Sequence, residues 1–307
     1  MAPLLAFILL ATGACAAPFR WEDVRTVYAF GDSYTFVQGT RGHANFSFIG
    51  DANNLAFTPR ELLTNEVILK NTSSDGANWI EYLTGCFAGQ PQHCNRALWD
   101  FAFAGADIDD ALLPRHHDYT VSLTNQVSQF LTYARGILPR ADLVAWWIGI
   151  NDTGDTINHA DIDDFDAFWE SEMDAYFNAV QRVQNSGRAR AHLFINVPPG
   201  ERSPNTLGNA TRAAIHASRI AGFNAALARR VAQFQRKHTG TTSVMFFDAH
   251  AWFNWALDHA AELGFTNITG FCHCKETESF FWYDAGHPTA AVHRLLAREI
   301  AERLRAA

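Results

Sequence analysis

Basic side chains are few and spread out: 24 Lys and Arg stand against 32 Asp and Glu, a formal charge of −8 with no cluster of one sign. Phosphate-backbone recognition needs grouped basic residues, so nucleic acid is excluded as a partner. A basic amphipathic tract suited to a membrane surface is also missing. Beyond the first seventeen residues no stretch is apolar enough to span a bilayer. No Pro/Gly/Ser-rich linker, charge block or internal repeat divides the chain. Length alone would allow two domains, but the unbroken composition predicts one, spanning residues 18–307. Hydrophobic residues make up 48% of the chain, enough for a sizeable core. Metal-ligand spacing is lacking too. Cys272, His273 and Cys274 crowd together without the gap of two to four residues, or the second ligand pair, of a zinc site. No metal and no cofactor is expected.

The first residues are Met1-Ala2-Pro3, an apolar run from Leu4 to Leu10, and small residues to Ala17 before Pro18. This pattern predicts a secretory signal over residues 1–17, too short for a membrane span, and a secreted, extracellular protein. Removing it takes Cys15 and leaves Cys86, Cys94, Cys272 and Cys274, an even set in an exported chain, so disulfides are expected. Cys86 with Cys94 closes a short loop and is the easier pair; a bond between Cys272 and Cys274 would be tight, and cross-pairing stays open. Asn45, Asn71, Asn209 and Asn267 head Asn-x-Ser/Thr sequons and are candidate glycosylation sites. Asn151 heads a fifth, discounted for a reason given below. A monomer is the expected state.

Short apolar runs alternate with amphipathic stretches, the pattern of a parallel sheet covered by crossover helices. Strands are predicted at Val24 to Phe30, Leu98 to Ala104, Leu143 to Ile148, His192 to Val197 and Val244 to Phe247, with the third, the most apolar, in the centre. Helices are predicted at Asn78 to Leu83, Val121 to Tyr133, Asp161 to Val183, Thr211 to Lys237 and Pro288 to Arg305. The result is an α/β three-layer α/β/α sandwich with a five-stranded parallel sheet. The stretch from Gly39 to Ser74 is long enough for a functional loop.

Open parallel sheets bind ligands beyond the carboxyl ends of their strands. Gly31-Asp32-Ser33 follows the first strand, Ala104-Gly105-Ala106 the second and Gly149-Ile150-Asn151-Asp152 the third. A serine hydroxyl needs a positioned base to become a nucleophile, and Asp284-Ala285-Gly286-His287-Pro288 offers one. Three residues apart at a helix entry, Asp284 can meet Nδ1 of His287 while Nε2 faces Ser33. Acyl transfer also requires fixed donors about 3 Å from the developing oxyanion. The backbone N–H groups of Ser33 and Gly105 and the side-chain amide of Asn151 could supply them. A glycan on Asn151 would remove that donor, hence the discounted sequon.

These four blocks resemble those of the GDSL, or SGNH, hydrolases, in the family's order and over nearly the whole mature chain. The resemblance implies a flavodoxin-like sandwich, catalytic residues Ser33, Asp284 and His287, and an oxyanion hole of Ser33, Gly105 and Asn151. Phe30-Gly31-Asp32-Ser33-Tyr34-Thr35, Asp75-Gly76-Ala77-Asn78-Trp79, Trp147-Ile148-Gly149-Ile150-Asn151-Asp152, Asn196-Val197-Pro198-Pro199 and Phe281-Trp282-Tyr283 narrow it further. Together they are similar to the fungal acetylesterases of carbohydrate esterase family sixteen, which implies an acetylated plant cell-wall xylo-oligosaccharide as substrate. Ala104-Gly105-Ala106 and the Ala285-Gly286 spacer depart from the commoner family forms and bear on the sugar preferred.

The bland readings differ by residue. Asp32 and Asp152 are expected to hold turns by accepting backbone N–H bonds. Trp146, Trp147, Trp252 and Trp255 are expected in the core, whereas Trp282, beside the catalytic loop, is the candidate for stacking on a sugar. His43, His116, His117 and His259 are expected to be solvated bystanders. Two competitors stand beside a carbohydrate acetylesterase: a GDSL lipase or general acyl esterase, and an inactive carbohydrate-binding protein of the same fold. No Gly-x-Ser-x-Gly elbow occurs, which disfavours an ordinary α/β-hydrolase.

Overall fold

A computed structural model describes residues 18–37, 72–87, 94–116, 120–136, 138–274 and 277–307. Residues 1–17, where a signal is expected, Asn45, Asn71, His43, His117 and nearly all of the long 39–74 stretch lie outside the described residues. Five strands, β1 (Thr26–Gly31), β2 (Ala97–Asp100), β3 (Leu143–Trp147), β4 (Ala191–Ile195) and β5 (Ser243–Phe247), pair in parallel in the order β2-β1-β3-β4-β5. This is the doubly wound flavodoxin-like order, whose crevice opens between the first and third strands.

Side chains alternate across the sheet and so sort the helices into two layers. Trp146 stacks with Phe30 and Phe194 and meets Tyr176 on one face. Its neighbour Trp147 points the other way, against Trp79 and Phe253. On the Trp146 side lie α2 (Leu123–Gln129), which runs on into a π-helical turn, α4 (Phe165–Asn185) and α5 (Ala210–Lys237). The opposite layer holds α1 (Trp79–Thr84), α6 (Ala249–Asp258) and α7 (Ala290–Ala306). Both central tryptophans are fully buried. Trp255 is a correction to the expectation of a core residue: it is 47% exposed, stacked only on His259 along the outer side of α6.

Local signals account for the helix starts. Asn78 caps α1 in a reciprocal box, its side chain accepting from the Glu81 N–H while Glu81 accepts from the Asn78 N–H. Asp164 caps α4 through the Ala167 N–H, which places the start four residues after the predicted Asp161. The second strand ends at Asp100 rather than Ala104, where the Asp100 carboxylate takes the Ala102 N–H; the Phe101 and Phe103 N–H groups still reach the Ala29 and Gly31 carbonyls. α3 (Ile150–Asp155), α6 and a small pair, β6 (Asn267–Phe271) with β7 (Phe280–Trp282), were not foreseen. The cysteines pair as Cys86 with Cys94 and Cys272 with Cys274. No helix among the described residues is long and apolar enough to cross a membrane.

Candidate active site

β1 delivers Ser33 into a tight turn. The Thr35 and Phe36 N–H groups donate back to the Asp32 carbonyl, and the Asp32 carboxylate accepts from the Tyr34 N–H at 3.0 Å. Asp32 is therefore a turn-holding carboxylate, as expected. On the β2 side the Phe103 N–H still reaches the Gly31 carbonyl at 3.0 Å, and the buried Gln126 of α2 completes the pairing. Its amide accepts the Gly31 N–H at 3.1 Å and donates to the Gly31 carbonyl at 2.8 Å, as a neighbouring strand would.

β7 ends at Trp282, and the Trp282–Pro288 bridge folds residues 283–287 into a closed loop, with the Tyr283 N–H donating to the His287 carbonyl at 2.9 Å. α7 starts just after it, fastened from another segment: Asp75 accepts the Ala290 N–H at 2.6 Å and the Thr277 hydroxyl. Residues 254 positions apart thereby meet. His287 Nε2 lies 2.7 Å from Ser33 Oγ, and His287 Nδ1 lies 2.8 Å from Asp284 Oδ2. Asp284 Oδ1 accepts further bonds from the Gly286 N–H at 2.8 Å and the His287 N–H at 2.7 Å. Burial works against ionisation of Asp284, but the imidazole bond and charge and the two backbone donors outweigh it and hold the carboxyl below its usual range. Ser33 is nearly buried, whereas the His287 and Asp284 side chains are about a third exposed.

The other two strand ends close on the same edge. Gly105 has φ +79°, a left-handed backbone, and an added Cβ would sit 3.3 Å from His116 Cβ. Gly149 has φ +113° and its missing side chain makes room for the Phe223 ring, which lets α3 start at once with Ile150 and Asn151. Asn151 Nδ2 donates to the Ala106 carbonyl at 2.9 Å, so its amide lies against the Gly105 loop with a second N–H to spare. The Ser33 and Gly105 N–H groups donate to no acceptor among the described residues.

Behind these donors lies a buried acidic web. Asp152 accepts the Ile108 N–H at 2.9 Å and so links α3 to the loop after β2. Asp107 and Glu172 crowd against it with Asp32, all under 4% exposed. Glu172 faces Asp152 across a carboxyl-to-carboxylate contact, which is a hydrogen bond only when one of them carries a proton. Otherwise Asp152 Oδ2 and both Glu172 oxygens lack partners among the described residues. Burial first, and the neighbouring carboxylates second, push Asp107 up to about 10. Asp152 is pushed up to about 7, by burial above all. Burial raises Asp32 to about 8, with Asp152 adding to it against the backbone bonds.

Trp282 is corrected as a sugar-stacking candidate. It is 1% exposed, and its Nε1–H donates to the Ile268 carbonyl at 3.0 Å, so the indole is committed to the β6–β7 pair. Asn209 is an exposed helix cap and Asn267 the half-buried first residue of β6. His259 lies at the surface, and His116 is exposed, as expected, with Nδ1 3.2 Å from Asp155 and its side chain beside Gly105. Sequence reading missed Tyr34, Gln126 and Glu172. Glu172 alone left a signal, a carboxylate on the apolar stripe between Trp169 and Tyr176 of α4.

The GDSL-like lipase/acylhydrolase family profile matches residues 27–300. An acetylesterase of Thermothelomyces thermophilus is 30% identical over 312 residues, covering 97% of this chain and 95% of that protein. A solved protein from Lactobacillus plantarum superposes with a TM-score of 0.50 at 15% identity, covering 92% of this chain and 97% of its own. An acetyl xylan esterase from Geobacillus stearothermophilus reaches 0.44 at 14% identity, over 91% and 94%. At such identities the structural likeness speaks for the fold alone. The family profile spans nearly every described element, from β1 into α7, and with the acetylesterase relative it places the chain in the GDSL-like lipase/acylhydrolase family, as a carboxylic ester hydrolase.

Proposed function

We propose that the protein is a secreted carbohydrate acetylesterase that cleaves acetyl esters of plant cell-wall oligosaccharides, chiefly xylo-oligosaccharides, through an acyl-enzyme. The observation that carries this reading is the continuous relay Ser33 Oγ, His287 Nε2, His287 Nδ1, Asp284 Oδ2, with both contacts at hydrogen-bond distance. Ser33 Oγ attacks the acetyl carbonyl as its proton passes to His287 Nε2. The oxyanion is received by the Ser33 and Gly105 N–H groups and the spare N–H of Asn151. Asp284 stabilises the imidazolium, which then protonates the departing sugar hydroxyl. Water repeats the sequence in reverse order of roles, releasing acetate and restoring the Ser33 hydroxyl. No step calls for a metal or cofactor.

Export through the 1–17 leader fits two cysteine pairs bonded as in an oxidising compartment. A monomer acting on a small acetylated saccharide completes the reading. Mass spectrometry of acetylated xylo-oligosaccharides and of intact acetylxylan before and after treatment tests it, with stepwise loss of acetyl groups expected. A nitrophenyl ester series separates the lipase alternative: activity peaking at acetate supports the acetylesterase, and a rise toward octanoate overturns it. Stoichiometric labelling of Ser33 by an organophosphonate separates an enzyme from an inactive binding protein.

A further inference from the structure

The proposed nucleophile and base are joined by a second strap besides their own hydrogen bond. Tyr34, next in sequence to Ser33, is 3% exposed and sends its hydroxyl 252 residues along the chain to the Gly286 carbonyl, at 2.5 Å. Gly286 lies inside the loop that carries the acid and the base. Its N–H donates to Asp284 Oδ1, and its carbonyl belongs to the same peptide as the His287 N–H, the other backbone donor to Asp284 Oδ1. A donor on that carbonyl fixes the peptide plane and polarises the N–H at its far end toward the carboxylate. The Tyr34 ring is itself wedged between Trp147, at 5.2 Å in edge contact, and the His287 imidazole, at 5.6 Å.

We infer that Tyr34 is a positioning residue of the ester-hydrolysing relay, setting the orientation of the Asp284–His287 pair relative to Ser33 through its hydrogen bond to Gly286. The inference rests on the proposed roles of Ser33, His287 and Asp284. A phenol suits the task because it stays a donor: burial first, with the Asp32 and Asp284 charges adding, keeps its proton far above the ordinary tyrosine range. The fixed ring also supplies one wall of the imidazole's seat, so the base cannot swing away from Ser33 without losing this contact.

Tyr34→Phe keeps the ring and removes only the hydroxyl. Leaving the Gly286 carbonyl without its donor lowers kcat by about five- to fiftyfold on an acetyl ester, with KM unchanged within about twofold. The rate of Ser33 labelling by a small neutral organophosphonate falls by the same factor, since both read proton transfer to His287. Counting sites by final phosphonate incorporation expresses kcat per folded site, so a partly unfolded preparation still gives an answer. The decisive comparison is the double variant. In an Asp284→Asn background the Tyr34→Phe effect on labelling rate shrinks to less than about twofold, because Tyr34 acts through that pair. A merely structural tyrosine would give the same loss in both backgrounds, which overturns the inference. So does a Tyr34→Phe enzyme within twofold of wild type. Ser33→Ala, measured alongside, keeps the two readings apart: if it remains active, the nucleophile assignment fails, and if it is dead while Tyr34→Phe is normal, only the role of Tyr34 fails.

Discussion

Asp284→Asn is the sharpest perturbation of the proposed relay, because the surrounding donors dictate which way the new amide faces. In the native loop Oδ1 accepts the Gly286 N–H at 2.8 Å and the His287 N–H at 2.7 Å, while Oδ2 faces His287 Nδ1 at 2.8 Å. An asparagine must keep its oxygen toward the two backbone donors, since turning the NH2 there would set donor against donor and forfeit two bonds. Its NH2 therefore takes the place of Oδ2, which at 2.8 Å is nearer Nδ1 than Oδ1 at 3.0 Å; Nδ1 becomes an acceptor, and the imidazole proton moves to Nε2. A protonated Nε2 cannot accept from Ser33 Oγ, 2.7 Å away. The shape is intact but the base has the wrong tautomer, a fault worth about 10⁴ in kcat in a serine triad. The same change removes the negative charge that favours the imidazolium. Native Asp284 is held below the ordinary carboxylate range by His287 and the two N–H groups, which together overcome burial. Its contribution to stability is present above the unfolded carboxyl value and is lost as pH falls through the lower folded value. Asparagine does not titrate, so this part of the acid-side fall in stability should vanish. Initial rates on nitrophenyl acetate at about pH 7.5 and thermal melts from about pH 3 to 7 test both statements. An Asp284→Asn enzyme within tenfold of wild type would refute the tautomer argument, and with it the role of Asp284.

Asn151→Ala should lower kcat by about 10²- to 10³-fold, the loss of one oxyanion donor, with phosphonate labelling slowed in parallel; a loss under threefold would place the third donor elsewhere. The acidic web predicts alkaline sensitivity. The folded values of Asp152, Asp32 and Asp107, about 7, 8 and 10, lie above ordinary carboxylate values, so the fold holds more protons than the unfolded chain. Stability contributed by these groups is therefore full at acid pH and is lost as pH rises through that range. Glu172→Gln replaces a removable proton with a permanent N–H donor and should make the fall in melting temperature between about pH 6 and 10 shallower; an unchanged slope would refute the shared proton. Gln126→Leu strands the Gly31 N–H in the core and should cost about 1–3 kcal/mol in urea titration, with no measurable loss meaning that the strand-end clasp is dispensable.

The sheet was legible because β1 to β4 are buried on both faces, β5 alone among the five lying at a partly open edge. Leu143 to Ile148 is apolar throughout, and such a run between amphipathic helices has few other homes. The proposed nucleophile and base stood out for another reason: Ser33 and His287 each follow a structural stop, a strand end in one case and a bridge into a helix in the other. What was not legible depends on contacts between segments far apart in sequence. Gln126 lies 95 positions from Gly31, and nothing in the local sequence Leu123 to Gln129 marks one amide as a substitute strand. Trp282 and Trp255 exchanged places for the same reason. Adjacency to the loop suggested an exposed Trp282, yet the β6–β7 pair, invisible without knowing that residues 267 and 280 align, covers it. Sheer size suggested a buried Trp255, yet the outer side of α6 leaves it 47% exposed.

The acidic web explains why Asp32 and Asp152 read as structural and yet stand so near the chemistry. Each strand end that carries a proposed oxyanion donor is a separate loop, and loops drift unless tied together. Asp32 holds the turn after β1 through Tyr34, Asp152 ties α3 to the β2 loop through Ile108, and Asn151 repeats that link through Ala106. Carboxylates do this with more reach than backbone alone, because each offers two oxygens. The cost is buried charge, which a cation could neutralise but only by placing a positive charge behind the donors. Keeping protons on part of the web avoids that: the ties remain, and the donors' own N–H groups are the dominant field where the oxyanion forms. A Glu172→Lys variant sets these alternatives against each other. If the web requires only charge balance, it should fold and stay active; if neutral carboxyls are required, kcat should drop in the folded protein even though the pairing is nominally better.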